Sequence, residues 1–401
     1  MLDGIVRTLA RPGVRLWLSS TALERSAIPQ PPGAAVVHTA GTNPARILLI
    51  GSGAAIGFGV LSHELALAGH LARQLSTVSG RAVDMDIVVD REMTAATMIG
   101  ELERLPLARY DVVIVNVGLI EALGFISVSH WRENLGRVFD RLRILGHSEQ
   151  QIYAVGIPPL PALQKYPAAI TTLAGRHARL LNSELEVETD GRERVSFLPF
   201  EPPPALDTDR FRSSSTYSRW AELISAPIAA RIGIPTADAD TESMGPLDEL
   251  ARQSTLDALQ ILDTAPEERF DRITLTARDL LGTTSAAITF VDQNRHWFKS
   301  RLGVDMSEMP RFSSLCDITI QRREHFAIEN AAADPRFADN PMVVAEPYLR
   351  FYAGYPIEAP NGVRVGTLSV FDPNPRTFSE ADAALLRGLA LMVQNELRTQ
   401  D

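Results

Sequence analysis

Near residue 240 the hydrophobic pattern changes its grammar, and that change constrains the architecture more than any other feature. Before it, short apolar runs that read as strands (residues 45–50, 83–89, 110–117, 151–156 and 195–198) alternate with stretches of helical periodicity (63–75, 94–105, 131–145, 171–185 and 217–231). Apolar runs each followed by a helix predict a parallel sheet covered on both faces. This half is α/β. After it, two helical stretches (247–263 and 265–281) lead into strands at 285–291, 297–302, 326–329, 352–357 and 367–371, with a short helix at 316–321 and a closing helix at 379–397. Strands bracketed by helices predict an antiparallel sheet with helices on one side, an α+β arrangement. Ser379, with Asp382 three residues on, predicts the N-cap of the closing helix.

The stretch 236–246, TADADTESMGP, has only Met244 as a large apolar group, so it cannot bury surface and reads as a linker. A second stretch rich in Pro, Gly and Thr covers 29–44. The expected organisation is an N-terminal segment and linker at 1–44, an α/β domain at 45–235, a linker at 236–246 and an α+β domain at 247–401. A length of 401 residues suits two domains. The net charge of -10 is wrong for a chain built to neutralise phosphates, so no nucleic-acid partner is expected. The single cysteine, Cys316, excludes an intramolecular disulfide and any multi-cysteine metal site, and no metal or cofactor is expected. No apolar run reaches the roughly 18 residues of a membrane span. The N-terminus is broken by Asp3, Arg7, Arg11 and Arg15 and lacks the apolar core of a secretory signal. The expected location is the cytoplasm.

The first strand feeds a glycine loop, GSGAAIGFG, at 51–59. Taken alone, its spacing fits a dinucleotide-binding turn that sets pyrophosphate on a helix N-terminus, with Asp84, Asp86 or Asp90 as the ribose-binding acid. Tight strand-to-helix turns of any kind favour glycine, so nucleotide binding is a second alternative rather than the leading reading.

The segments LLIGSGAAIGFGV, YDVVIVNVGLIEAL, AVGIPPLPAL and DRFRSSSTYSRWAELI, in that order, make residues 45 to about 233 resemble an SGNH (GDSL-type) hydrolase of actinobacterial style. The resemblance implies a flavodoxin-like parallel sheet, a nucleophilic serine, oxyanion donors and an Asp–His pair. Gly51, Gly57, Gly59, Gly118, Pro158, Pro159, Tyr217 and Trp220 keep scaffold positions. The catalytic positions depart from it. The nucleophile falls on Gly53, which has no hydroxyl. The oxyanion glycine falls on Glu92, whose carboxylate would repel a developing oxyanion. The Gly-x-Asn-Asp block reads Gly118-Leu119-Ile120-Glu121, with Ile120 in place of the asparagine donor. The final Asp-x-x-His reads Asp209-Arg210-Phe211-Arg212, and a guanidinium stays protonated and cannot act as a base. Ser52 would need His63 or His70 as a displaced base, and His177, in an RHAR stretch, reads as a solvated residue. The expectation is a pseudoenzyme without catalytic residues; were it active, Ser52 and Asp209 would carry the chemistry. Its cleft, lined by Ser52, Glu92, Glu121, Asp209 and Arg212, either holds a polar ligand or is closed by a salt bridge among Glu92, Glu121 and Arg212.

ILDTAPEERFDRIT, ITFVDQNRHWFKSRLGV, SSLCDITI, ADPRFADNPMV, LRFYAGYPI and GTLSVFD make residues 256–394 resemble GAF domains of bacterial signalling proteins. The resemblance implies a small-molecule pocket beside the antiparallel sheet, for which Phe298, Phe312, Cys316, Ile320, Phe351, Tyr352 and Tyr355 are candidates. The same aromatics would also serve as ordinary core. Cys316, at the start of a helix, is either a reactive thiol or a small buried hydrophobe. Ser369 stands where many relatives carry a second cysteine, which rules out a paired-thiol switch within one chain. His296 is expected to be exposed at the tip of a hairpin spanning 292–296. No output segment is expected after the GAF-like stretch, so output is expected from a protein partner or from the hydrolase-like half. The leading expectation is a cytoplasmic sensor or scaffold, homodimeric through helices at 247–262 and 379–397, with an unknown small-molecule ligand. The alternative is a GAF-regulated esterase.

Overall fold

The computed structural model describes residues 28–32, 35–159, 168–201, 213–232, 246–311 and 315–398. The expected linker at 236–246, apart from Pro246, lies outside the described residues, as do Asp209, Arg212 and Phe312. The chain divides into two compact units, residues up to 234 and 235–401, with Ala40–Asn43 grouped with the second.

The first unit is built on a six-stranded sheet in the order β1-β3-β2-β4-β5-β6. Its strands are β1 (Val36–His38), β2 (Ala45–Gly51), β3 (Val83–Val89), β4 (Val112–Asn116), β5 (Gln151–Val155) and β6 (Val195–Leu198). All neighbours from β3 to β6 pair in parallel, and β1 adds antiparallel to β3 at the edge. β1 lies in the stretch expected to be a linker. It comprises three residues among Pro, Gly and Thr, too few to show a period. The crossovers carry α1 (Leu67–Ser79), α2 (Ala95–Leu102), α3 (Leu119–Leu123), α4 (Val128–Leu145) and α5 (Ala168–Thr189), and α6 (Ser214–Ile232) follows β6. From β2 the chain moves one way to β3 and then crosses back to β4. Right-handed crossovers therefore put α1 on one face, where α6 joins it, and α2, α4 and α5 on the other. Apart from Arg46 and Asn116, β2 and β4 are apolar, and both are buried along their length, as sheet centres covered on both sides must be. Thr94 caps α2 through a reciprocal pair with Thr97, and the Trp131 indole of α4 donates to the Leu181 carbonyl of α5 at 2.9 Å.

In the second unit, α7 (Pro246–Ala258) and α8 (Glu268–Leu281) precede β7 (Ser285–Val291), β8 (Arg295–Leu302) and β9 (Glu308–Pro310). Then come α9 (Leu315–Ile320), β10 (Phe326–Ile328), α10 (Pro341–Val344), β11 (Phe351–Glu358), β12 (Arg364–Asp372) and α11 (Glu380–Arg398). The sheet order is β10-β11-β12-β7-β8-β9, and every pair is antiparallel. Alternation along the strands splits the interior in two. Phe290, Trp297, Phe351, Tyr355, Leu368 and Val370 pack towards α8 and α11, whereas Val291 and Tyr352 pack towards α9 and the segments after it. Ser379 and Asp382 exchange hydrogen bonds ahead of α11, as their spacing predicts.

Candidate functional site

Polar groups collect in two places: the C-terminal rim of the parallel sheet and the α9 face of the antiparallel one. At the rim, β2 ends on Gly51, whose φ is +143° and whose added Cβ would lie 1.9 Å from the Asn116 carbonyl oxygen. Only glycine lets β2 approach β4 so closely. The next residue, Ser52, donates its N–H to that carbonyl at 2.8 Å and is buried, and its Oγ has no hydrogen-bond partner among the described residues. Ser52 is therefore bonded to neither proposed base. His63 is buried, and desolvation lowers its pKa; His70 sits 2.8 Å from Ser214 Oγ instead. Gly53 (φ +66°) follows on a short 3-10 turn with nothing but Leu119 near a Cβ.

Glu121, on the first turn of α3, is buried. Its Oε1 accepts from the Ala95 N–H at 2.7 Å, while Oε2 has no well-formed hydrogen bond among the described residues. Burial raises its pKa, and the N–H groups of Ala95, Glu121 and Gly118 pull it back in part. Gly118 (φ +110°) precedes it, with a Cβ position already filled by Ile157, and Ile120 is half-buried. Glu92 is exposed, its N–H turned to Asp90 Oδ1 at 2.7 Å; the alternative of a salt bridge among Glu92, Glu121 and Arg212 turns on Arg212, which lies outside the described residues. Two expectations are corrected. His177 is buried on the inner face of α5, its Nε2 2.8 Å from the Ile126 carbonyl oxygen and its ring against Phe125. The glycine loop opens no long helix, because α1 starts only at Leu67, which removes the helix N-terminus a pyrophosphate would need. Asp84 and Asp86 are engaged by His38 and by Arg109 with Tyr110.

On the antiparallel sheet, α9 covers Cys316, Thr319 and Ile320 over Tyr352. Thr319 donates to the Leu315 carbonyl at 3.1 Å, which leaves its oxygen to accept from the Tyr352 hydroxyl at 2.9 Å. Cys316 Sγ lies 3.6 Å from the same hydroxyl, and burial pushes the Tyr352 phenol well above its usual range. Gly354 makes the room, since a Cβ there would meet the phenol oxygen at 2.4 Å. On this face Thr289 of β7 is directly opposite Thr367 of β12; both are fully buried, neither hydroxyl has a well-formed hydrogen bond among the described residues, and Thr367 lies close enough to the Tyr352 phenol to favour its ionised form. Phe298 pairs with Thr289 from the other side. Cys316, Ile320 and Tyr352 are thus brought together, while Phe351 and Tyr355 belong to the opposite, α8/α11 face. His296 is not at a hairpin tip: β8 begins at Arg295, and His296 is fully buried opposite Val291. Among the described residues, no group of three His, Cys, Asp or Glu side chains could hold a metal ion.

Residues 265–397 match the GAF domain family. This part of the chain is a GAF domain. Over 155 residues the chain is 37% identical to a cyclic di-GMP phosphodiesterase of Pseudomonas aeruginosa, a match that covers 38% of this chain and 26% of that relative's length. Among solved structures, the GAF domain of an Acinetobacter phosphoenolpyruvate-protein phosphotransferase aligns at 20% identity over 38% of this chain and 94% of its own, with a TM-score of 0.28. A lipase from a goat rumen metagenome aligns at 12% identity over 46% of this chain and 97% of its own, with a TM-score of 0.38. In the GAF domain, sequence reasoning missed Thr289 and Thr367. Both sit in strands rich in apolar residues, and only the pairing of β7 with β12 brings their hydroxyls side by side.

Proposed function

We propose that this chain is a cytoplasmic signalling protein, a sensor or scaffold, whose GAF domain binds a small molecule on its α9 face. The observation that carries this reading is the pair of buried hydroxyls of Thr289 and Thr367 beneath α9, without a well-formed hydrogen bond among the described residues, beside the Tyr352 phenol and the Cys316 thiol. Native folds rarely keep buried donors unpaired unless something else serves them. Aromatic walls with a few convergent polar atoms are how small-ligand sites are built. The α/β unit acts as an SGNH-like scaffold without catalysis. That reading is supported by the glycine at position 53 and by a Ser52 hydroxyl with no hydrogen bond to a base among the described residues. Output passes to a protein partner, and the chain pairs with a second copy through α7 and α11, where Leu250 and Met392 stand exposed. No helix among the described residues is long and apolar enough to cross a membrane.

Native mass spectrometry of freshly purified full-length protein, beside a denatured control, tests the sensor reading. The expected result is a dimer carrying an adduct that disappears on denaturation and in Thr289→Val with Thr367→Val. A bare protein, or an adduct indifferent to both substitutions, would overturn the assignment of ligand binding to this face.

A further inference from the structure

The parallel sheet carries a polar site that the sensor reading does not use. Ser52 Oγ, Asn116 Nδ2 and Glu121 Oε2 are all without a hydrogen-bond partner among the described residues, and their residues are 2%, 7% and 3% exposed. They lie on one rim. Ser52 follows the last residue of β2, Asn116 ends β4 directly opposite Gly51, and Glu121 opens the helix that begins after Gly118. The Ser52 N–H to Asn116 carbonyl bond of 2.8 Å ties the backbones of the first two together, and the Ala95 N–H holds one carboxylate oxygen of the third. This rim is also where the strand order reverses: β2 has β3 on one side and β4 on the other. In open parallel sheets the crevice beyond the strand C-termini opens at such a reversal, and ligands bind there.

The chemistry of these atoms selects a ligand. Asn116 Nδ2 can only donate, a carboxylate oxygen accepts, and the Ser52 hydroxyl does both. A hydroxyl on the ligand satisfies a donor and an acceptor at once. An anion would face the Glu121 carboxylate. The neighbouring cation, Arg91, is turned to the Phe58 ring at 4.8 Å and to Gln30. An ammonium group would face the Asn116 donor. We infer that Ser52, Asn116 and Glu121 form a binding site for a small uncharged molecule bearing hydroxyl groups, held by hydrogen bonds at the C-terminal rim of β2 and β4.

Saturation-transfer NMR on the full-length protein tests this, with glycerol, D-ribose and D-glucose as probes and acetate as the charged control. Transfer is expected to at least one neutral probe and not to acetate. It should fall about tenfold or more in Ser52→Ala and in Asn116→Ala. Ser52→Ala should melt at or above the wild-type temperature, because it removes a buried hydroxyl with no partner in the fold. If Asn116→Ala fails to fold, Glu121→Gln, which keeps an acceptor for the Ala95 N–H, takes its place. Absence of transfer to all three neutral probes overturns the inference, as does transfer to acetate alone. Transfer that persists in Ser52→Ala does the same, since it puts binding elsewhere, for instance on the GAF domain.

Discussion

Glu249 of α7 is the counter-charge of a buried arginine, and its removal gives a measurable pH signature. Arg252 is fully buried. It grips Glu249 through Nε and a terminal nitrogen, each at 2.7 Å, and donates to the Val291 carbonyl of β7. Arg311 adds a second cation on the same carboxylate and also holds Asp317 of α9. The Arg252 hydrogen bonds, with help from Arg311, lower the Glu249 pKa from 4.5 to about 2 despite partial burial. A drop of that size is equivalent to about 3.4 kcal/mol. A third of the side chain is in solvent, where screening weakens such pairs, so about 1–2 kcal/mol is expected to survive. Glu249→Gln also leaves Arg252 buried without its counter-charge, which brings the expected loss to about 2 kcal/mol at pH 7. Because the folded pKa lies below the unfolded one, the contribution is complete above pH 4.5 and fades as the pH falls towards 2. Peptide-resolved hydrogen exchange, comparing variant and wild type at matched pH, should show residues 246–258 exchanging about 30-fold faster in the variant at pH 7. The gap should shrink to about two-fifths of that in free energy near pH 3. Equal protection at pH 7, or a gap that does not shrink on acidification, would refute the assignment of this carboxylate as the charge that holds α7.

Gly51→Ala should cost about 4 kcal/mol or more, because its Cβ would sit inside the Asn116 carbonyl, whereas Gly53→Ala should cost only about 1–2 kcal/mol for its positive φ; calorimetric melting of both variants separates the two. Lys299→Met should destabilise the GAF domain by about 2 kcal/mol, since the buried ammonium serves Thr264 Oγ1, the Ala265 carbonyl and Glu267 at 2.6–2.8 Å; urea unfolding followed at Trp297, which faces that ammonium, checks it. A fluorophosphonate probe should leave Ser52 unlabelled, and labelling that vanishes in Ser52→Ala would restore the esterase reading.

The strands β3 and β7 were legible to the residue: β3 alternates Val83, Met85 and Ile87 with Asp84 and Asp86, and β7 is a short apolar run closing on Ile288, Thr289, Phe290 and Val291, branched and aromatic groups that favour a strand. Short elements were not. β1 and the five-residue α3 have too few positions to show a period, and both are set by tertiary pairing. Some misreadings were avoidable. His177 shares its helix face with Ala174, Ala178 and Leu181, so its spacing already pointed inwards despite the flanking arginines. Strand alternation likewise separates Phe351 and Tyr355 from Tyr352 before any coordinates are known. His296 was harder. Arg295 binds Asp292, Asp263 and Glu308 together, shortening the turn and drawing the next residue into the strand. The unpartnered atoms at both sites were invisible in sequence. Whether a hydroxyl has a partner depends on every neighbour, and Asn116 carries no motif of its own.

Both borders of the GAF sheet are stubs. β9 and β10 are three residues each, and β9 ends in Pro310, which has no N–H to offer. A longer border would be a template on which another chain could extend the ladder strand by strand. Stubs this short present few free backbone groups of their own, so they give another copy of the domain little ladder to extend.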